Sequence, residues 1–386
     1  MRKVLIGVVF GVGIVWTVWV YLKSEMTDEC YQAGVRGEHE RQIEACTDFI
    51  ETASLVGLDA AVLYNNRGTA YSALGRLREA LRDYDDAIDE DATYVPAYLN
   101  RSSTFARLGD FDAAEHDLSM AIGLQPGVAG LFLGRGHVRL AEENYAGARE
   151  DFTAALALDP TMSEALLMRA VTQLRVGDLD QAAADLEQAI ARDDDEVRAH
   201  AQLGVVRMRQ GDPQRALAQF ERAAAIEPQR STHQTNMGHA LLALDRPAEA
   251  EAAFTRAIGL SPDNADLFVD RARAREALGE NEAAETDLET ALAIEADHPA
   301  ALRAMARLAE AGGRPQAALD ALNRLIVAQP NDSVAHLSIA KVYVAQGLWQ
   351  PAIRHAELAE ALNPALGRQA EDVRQVALAA LDQPER

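Results

Sequence analysis

Aromatic side chains make up only 5% of the 386 residues, and alanine is plentiful. Large globular cores need more bulk than that, whereas closely approaching helices tolerate it. Positive charge is also scarce: 37 basic residues stand against 60 acidic ones, a formal net charge of −23. A surface of that sign repels phosphate, which argues against nucleic acid and anionic lipid headgroups as broad partners. No Gly/Ser linker, Gln/Asn tract or Pro-rich block interrupts the chain. Only two cysteines occur and there is no CxxC pair, so neither a zinc ribbon nor a thioredoxin-type motif is available.

Signs of chemistry are equally thin. No two histidines stand three or four residues apart, so no helix face offers a metal pair. The acidic run Asp193, Asp194, Asp195, Glu196 lacks the spacing and glycine of a calcium loop and reads as a solvated turn. GVRGEH at 34–39 is short, with no strand before it to make a phosphate loop. No serine sits in a defensible histidine–carboxylate pattern. The expectation is a protein without enzyme activity, cofactor or metal.

The first residues stand apart. After MRK comes an uncharged run at 4–22, VLIGVVFGVGIVWTVWVYL, close to the length that spans a hydrocarbon core. Trp16, Trp19 and Tyr21 crowd its far end, as aromatics do at a membrane interface. Arg2 and Lys3 precede it, so the positive-inside rule puts residues 1–3 in the cytoplasm and everything after the run outside. A cleaved signal peptide is the competing reading. It would want a shorter apolar region and a small-x-small site, and KSEMTDEC offers none. The expectation is therefore a single-pass anchor in a bacterial inner membrane, with a tether at 23–26 and the rest on the periplasmic side. Cys30 and Cys46, just beyond the anchor, would form a disulfide in an oxidising compartment; the alternative is two small buried hydrophobes.

The remainder is periodic. Ala80, Ala114, Ala148, Ala182, Ala216, Ala250, Ala284, Ala318 and Ala352 are each 34 apart. On the same lattice run Tyr84, Leu118, Phe152, Leu186, Phe220, Phe254, Leu288 and Leu322, and a further alanine row from Ala87 to Ala291. Alanine, then a large side chain four later, then alanine three after that, is one face of a helix. Gly68, Gly136, Gly204 and Gly238 recur on the preceding helix, where lack of bulk admits its partner. Glycines at 75, 109, 177, 211, 279, 313 and 347 mark the turn between the two, and prolines such as Pro160 stop the second.

The period, the small residues, the aromatic and the terminal proline resemble the tetratricopeptide repeat family. The family's tryptophan is absent, with Tyr64, Tyr98, Phe132 and Phe268 in its place. The resemblance implies an all-α protein, a right-handed α-solenoid of stacked helix-turn-helix repeats following the N-terminal transmembrane helix. Nine units fill 61–366. A degenerate unit fits 27–60, where Ala45 and Phe49 repeat the Ala80–Tyr84 spacing 35 residues earlier. Residues 367–386 read as a capping helix and tail.

Charges sit on the lattice too. Arg67, Arg101, Arg135, Arg169 and Arg271 share one position, and Asp83, Asp117, Asp151, Asp185 and Asp287 another, always in the same repeats. The other four repeats carry Leu203, Met237, Met305 and Ile339, with Gln219, Ala253, Ala321 and His355 opposite. A partly buried guanidinium needs a carboxylate, and losing one partner orphans the other. These pairs therefore read as structural salt bridges between the two helices of a repeat, the alternative being arginines that line a ligand groove. Cys30 and Cys46 share the same 16-residue separation.

In the family, first helices line the concave wall. The inward positions give an apolar strip, Leu133, His137, Leu140, Leu167, Val171, Leu174, Val205 and Met208, and then a basic stretch with Arg273, Arg303, Arg307 and Lys341. Exposed, the strip would mark a contact site; the alternative is that it packs against neighbouring helices. A protein or peptide segment with apolar anchors and carboxylates would suit this groove. Self-association of the repeats, giving a homo-oligomer, is the competing function.

Overall fold

The computed structural model describes residues 29–52 and 56–382, and among them the regular structure is helical throughout. The apolar run at 4–22 lies outside the described residues. No helix within them is long and apolar enough to cross a membrane.

The chain divides into two compact units, one ending at Arg192 and the other beginning at Asp193. The first holds α1 (29–35), α2 (His39–Thr52), α3 (Leu58–Ala73), α4 (Leu77–Glu90), α5 (Val95–Leu108), α6 (Phe111–Leu124), α7 (Ala129–Ala141), α8 (Tyr145–Leu158), α9 (Ser163–Val176) and α10 (Leu179–Arg192). The second holds α11 (Val197–Arg209), α12 (Pro213–Ile226), α13 (Ser231–Ala243), α14 (Pro247–Leu260), α15 (Ala265–Leu278), α16 (Asn281–Ile294), α17 (Pro299–Ala311), α18 (Pro315–Ala328), α19 (Ser333–Ala345), α20 (Trp349–Leu362), a 3-10 turn (Pro364–Leu366) and α21 (Gly367–Leu381). Within each unit the extensive contacts join helices one or two places apart. Each unit is thus a run of stacked helix pairs with many local cores and no single central one, as a solenoid requires.

The pairs close on small residues. Ala80, Ala114 and Ala148 in the first unit and Ala216, Ala250, Ala284, Ala318 and Ala352 in the second are all fully buried. The large residue four positions later drops onto the small residue of the partner helix. A Cβ added to Gly136 would stand 2.6 Å from Phe152 Cε1, and one added to Gly238 2.5 Å from Phe254 Cε1. At such distances the ring or a helix would have to shift to admit it. The match is systematic: glycine faces an aromatic at 68/84, 136/152, 204/220 and 238/254, whereas serine or alanine faces leucine at 102/118, 170/186, 272/288 and 306/322.

Between the two helices of a repeat the chain reverses through a left-handed residue. Gly177 there has φ 88°, natural for glycine. Glu143 and Asp245 fill the same lattice position with φ 61° and 58°, where a side chain costs energy. Second helices start on aids of two kinds. Asp110, Asn144 and Asp212 accept a cap hydrogen bond from the backbone N–H three residues on, and Pro213, Pro247 and Pro315 occupy the first turn.

Candidate functional site

The polar interior decides which charges remain for partners. Arg67 Nε and Nη2 donate to the two carboxylate oxygens of Asp83 at 2.9 and 2.7 Å. The same fork joins Arg101 to Asp117, Arg135 to Asp151, Arg169 to Asp185 and Arg271 to Asp287, with distances of 2.6–3.0 Å. These aspartates are buried. The remaining Nη1 reaches back to the preceding second helix, to Thr47, Asp85, Ser119, Thr153 or Thr255. One arginine therefore ties three helices. Four of the five also lie over an aromatic three residues earlier, Tyr64, Tyr98, Phe132 or Phe268, 5.6–5.8 Å from the ring centre. The Asp117 carboxylate holds the Arg101 guanidinium above its usual range. A bidentate pair whose acid is buried is a structural element, and it leaves little charge for a ligand.

Two repeats without the pair fill the gap differently. His200 Nδ1 meets Gln219 Oε1 at 2.8 Å while its Nε2 meets the Asp194 carbonyl at 2.9 Å. His336 takes the same placement, with His355 Nδ1, a ring nitrogen in place of an amide oxygen, at 3.0 Å and the Pro330 carbonyl at 3.1 Å. A carbonyl only accepts, so His336 carries its proton on Nε2 and His355 donates from Nδ1. Burial pushes the His355 imidazole below its ordinary value, and His336 and Arg354 push the same way. The other two such repeats, with Met237/Ala253 and Met305/Ala321, are apolar there. Gln219 and His355 occupy the aspartate position, yet their histidine lies 19 residues back instead of 16, so a search at the Arg–Asp spacing misses them.

A second link, also absent from the repeat pattern, joins successive second helices. Arg139 on α7 donates from Nε and Nη2 to Glu115 Oε1 on α6 and from Nη1 to Asp151 Oδ2 on α8, at 2.9, 2.7 and 2.9 Å. Arg275 on α15 does the same between Glu251 and Asp287.

On the first-helix faces the apolar strip is less open than its sequence suggests. In the first unit Leu167 is 1% and Leu174 9% exposed, so both pack inward; Leu133, His137, Leu140 and Val171 are half-buried. Burial pushes the His137 imidazole down. In the second unit Val205 and Met208 are half-buried and pack against the cluster around Leu241. The basic residues stay at the surface. Arg303 bonds Asp332 at 2.6 Å, Arg307 bonds Glu276, and Lys341 has only Gln369 at 3.5 Å. Burial raises the Glu310 carboxyl, with Lys341 opposing it. Arg273 is exposed and makes no ion pair with a described residue. Acids at the neighbouring positions, Glu276 and Glu310, give way to Leu242 one repeat before Arg273.

Cys30 and Cys46 are joined as a disulfide with Cα atoms 5.0 Å apart, buried with Phe49 and Leu63. Among the described residues, no group of three or more His, Cys, Asp or Glu could hold a metal ion.

Stacked helix pairs with a repeating notch and an all-polar set of interior ties define a helical-repeat scaffold. Family models described as tetratricopeptide repeat match residues 65–129, 133–175 and 167–231, and, for a second model, 241–308 and 277–342. The chain belongs to the tetratricopeptide repeat family, whose members serve as scaffolds for protein–protein interaction. No curated protein matches it. Among solved structures it is similar to a tetratricopeptide repeat protein from Parabacteroides merdae, with 19% identity, 65% of this chain and 98% of that one covered, and a TM-score of 0.50. Yeast Tom70 aligns over 94% of this chain and 96% of its own at 15% identity and a TM-score of 0.46. YrrB, described as a repeat protein with an unusual peptide-binding site, aligns over 47% and 93% at 21% identity and a TM-score of 0.41. These likenesses bear on fold alone.

Proposed function

We propose that the chain is a membrane-tethered interaction scaffold, held by residues 4–22 with its repeats outside the cytoplasmic membrane, that docks a protein segment on the first-helix faces of its second unit. The observation that carries the docking site is Arg273, an exposed guanidinium without a carboxylate on a chain of net charge −23. Lys341 and the arginines Arg303 and Arg307, each already bonded to an acid, flank it, and a segment carrying carboxylates would displace the water around Arg273 and compete for its neighbours. The half-buried Val205 and Met208 add apolar edge rather than deep anchors. The apolar run and its flanking charges support the tether, and the closed Cys30–Cys46 pair suits an oxidising compartment.

The test is photo-crosslinking in native membranes from a benzoylphenylalanine placed at Ala277, exposed one helical turn beyond Arg273. A discrete protein adduct that disappears when Arg303 and Arg307 are both changed to Glu is the expected result. No adduct, or one indifferent to those changes, refutes the docking site. Thiol labelling of the same membranes addresses the compartment separately: two freely reactive cysteines would rule out the periplasmic placement.

A further inference from the structure

One polar atom in the first unit lacks a partner it ought to have. Gln173, on α9, is 3% exposed, and its Oε1 makes no hydrogen bond. A buried carbonyl oxygen left unpaired is costly and calls for an explanation. It lines a cavity of about 680 Å³ between α8 and α10, together with Arg149, Glu150, Thr153, Arg169 and Asp185.

The array itself shows what belongs there. Moved back by one repeat, Gln173 becomes Arg139; moved forward by three, it becomes Arg275. Each of those arginines lies across its first helix and reaches the aspartate of its own repeat, with Nη1 2.9 Å from Asp151 Oδ2 or 3.0 Å from Asp287 Oδ2. Nη1 also approaches a second-helix carbonyl, Gly147 at 3.4 Å or Ala283 at 3.3 Å. The corresponding acceptors around the cavity are Asp185 Oδ2 and the Gln181 carbonyl. Asp185 Oδ2 holds only Arg169 Nε, at 2.8 Å, so the place of the second arginine is empty. Glu150 adds a further carboxylate to the wall.

The glutamate of the other two repeats is Arg149 here. It does not fill the cavity: Nη1 turns to Asp178, 3.2 Å away at the α9–α10 turn, and the side chain is 45% exposed at the rim. Arg169 is spoken for by Asp185 and Thr153. With both guanidiniums turned to aspartates, the acceptors facing inward are the Glu150 carboxylate, Asp185 Oδ2 and the Gln173 carbonyl oxygen, beside the amide N–H groups of Gln173 and Gln181.

We propose that this cavity receives an arginine side chain from a partner protein, seated where Arg139 and Arg275 place the chain's own guanidinium. The guest donates to Asp185 Oδ2, the Gln173 carbonyl oxygen and the Gln181 carbonyl. The site lies wholly in the first unit and is independent of the first-helix face proposed above.

Three alanines in the lining, Ala154, Ala157 and Ala184, report on occupancy through their methyl groups. The full chain in detergent micelles, labelled at alanine methyls, is titrated by NMR with N-acetyl-arginine methylamide to about 20 mM, a range that detects millimolar affinity. Saturable shifts of those three methyls are expected. Arg149→Glu restores the glutamate of the other two repeats and should tighten binding about fivefold, as one part-exposed ion pair allows. Gln173→Arg together with Arg149→Glu rebuilds the internal link and should abolish the shifts while leaving the helical circular dichroism unchanged. Saturable shifts with N-acetyl-glutamate methylamide instead would overturn the proposal in favour of an acid held by Arg149. Absence of saturable shifts, weaker binding by Arg149→Glu, or shifts that survive in the double variant would overturn it outright.

Discussion

Exchanging Gly238 for alanine tests the packing rule on which the repeats are built. The new Cβ would sit 2.5 Å from both Cε1 and Cζ of Phe254, a fully buried ring. Contacts that short do not occur, so the ring or the helix must move in a dense environment, at a cost of roughly 2–3 kcal/mol. Alanine favours a helix over glycine by about 1 kcal/mol, which offsets part of this. The single change should therefore destabilise the α13–α14 pair by roughly 1–2 kcal/mol. Phe254→Leu alone loses buried ring volume over a glycine and should cost about 1–1.5 kcal/mol, a fraction of full truncation. Made together they reproduce the Ala272–Leu288 combination native to a neighbouring repeat. The double change should be within about 1 kcal/mol of the parent, giving a coupling energy of about 1.5 kcal/mol. Repeat arrays do not unfold in one step, so the readout is hydrogen exchange in peptides from α13 and α14, where each 1.4 kcal/mol changes local protection about tenfold. A neutral or stabilising Gly238→Ala, or a double variant as damaged as the sum of its parts, would refute the notch as the organising contact.

Arg67→Met leaves the Asp83 carboxylate buried without its partner and should cost about 3 kcal/mol in local protection of α3–α4, while adding Asp83→Ala, which copies Met237/Ala253, should recover most of that loss. His355, depressed by burial, His336 and Arg354, stabilises the fold as neutral imidazole; its contribution is complete above the ordinary histidine range near 6.5 and is lost as pH falls through its lower folded value. Exchange protection of α19–α20 should therefore drop on acidification below about pH 6.5, and His355→Gln, whose amide N–H can donate to His336 Nδ1 without titrating, should flatten that dependence; an unchanged pH profile would contradict the assigned bond. Glu143→Gly and Asp245→Gly relieve left-handed backbone at the two turns that lack glycine and should each stabilise by about 0.5–1 kcal/mol in local exchange; a loss of protection would show that these side chains do more than occupy a turn.

The repeats were legible because each rests on a local rule that a sequence displays directly. An alanine every 34 residues, buried at Ala80, Ala114 and Ala148 alike, cannot be anything but a notch in a stack. The matching of glycine to aromatic across 16 residues was equally visible and needed only the two rows to be set side by side. Ties that cross from one repeat to another were not visible. Glu115, Arg139 and Asp151 are 24 and 12 residues apart, and which arginine rotamer reaches back depends on the angle between helix pairs, which no period specifies. Exposure on the first-helix faces was unreadable for a related reason. Leu167 and Arg307 occupy inward lattice positions, but whether a residue there is covered depends on the bulk of its neighbours in the adjoining repeats, so the leucine is 1% and the arginine side chain 63% exposed.

Nearly identical helices stacked in a row carry a hazard that the interior ties answer. The notch contacts alone would let a second helix pair with the first helix of a neighbouring repeat at little cost, since alanine faces leucine in several of them. Within the four consecutive charged repeats a shift would still set Asp83 against Arg101, but where a charged repeat borders an uncharged one the pair removes that degeneracy. Shifted forward by one repeat, Asp287 would face Met305 in place of Arg271, burying a carboxylate without a cation at a cost of several kcal/mol. Shifted back, Arg271 would meet Ala253 and lose both oxygens of its fork. The His336–His355 pair guards the last repeat in the same way, because His355 donates only to a ring nitrogen held by the Pro330 carbonyl. Stability of a repeat could be had from apolar residues, as Met305 and Ala321 show. What the arginines, aspartates and histidines add, placed in some repeats and withheld from others, is a reason for the helices at each border between the two kinds of repeat to prefer their own partners.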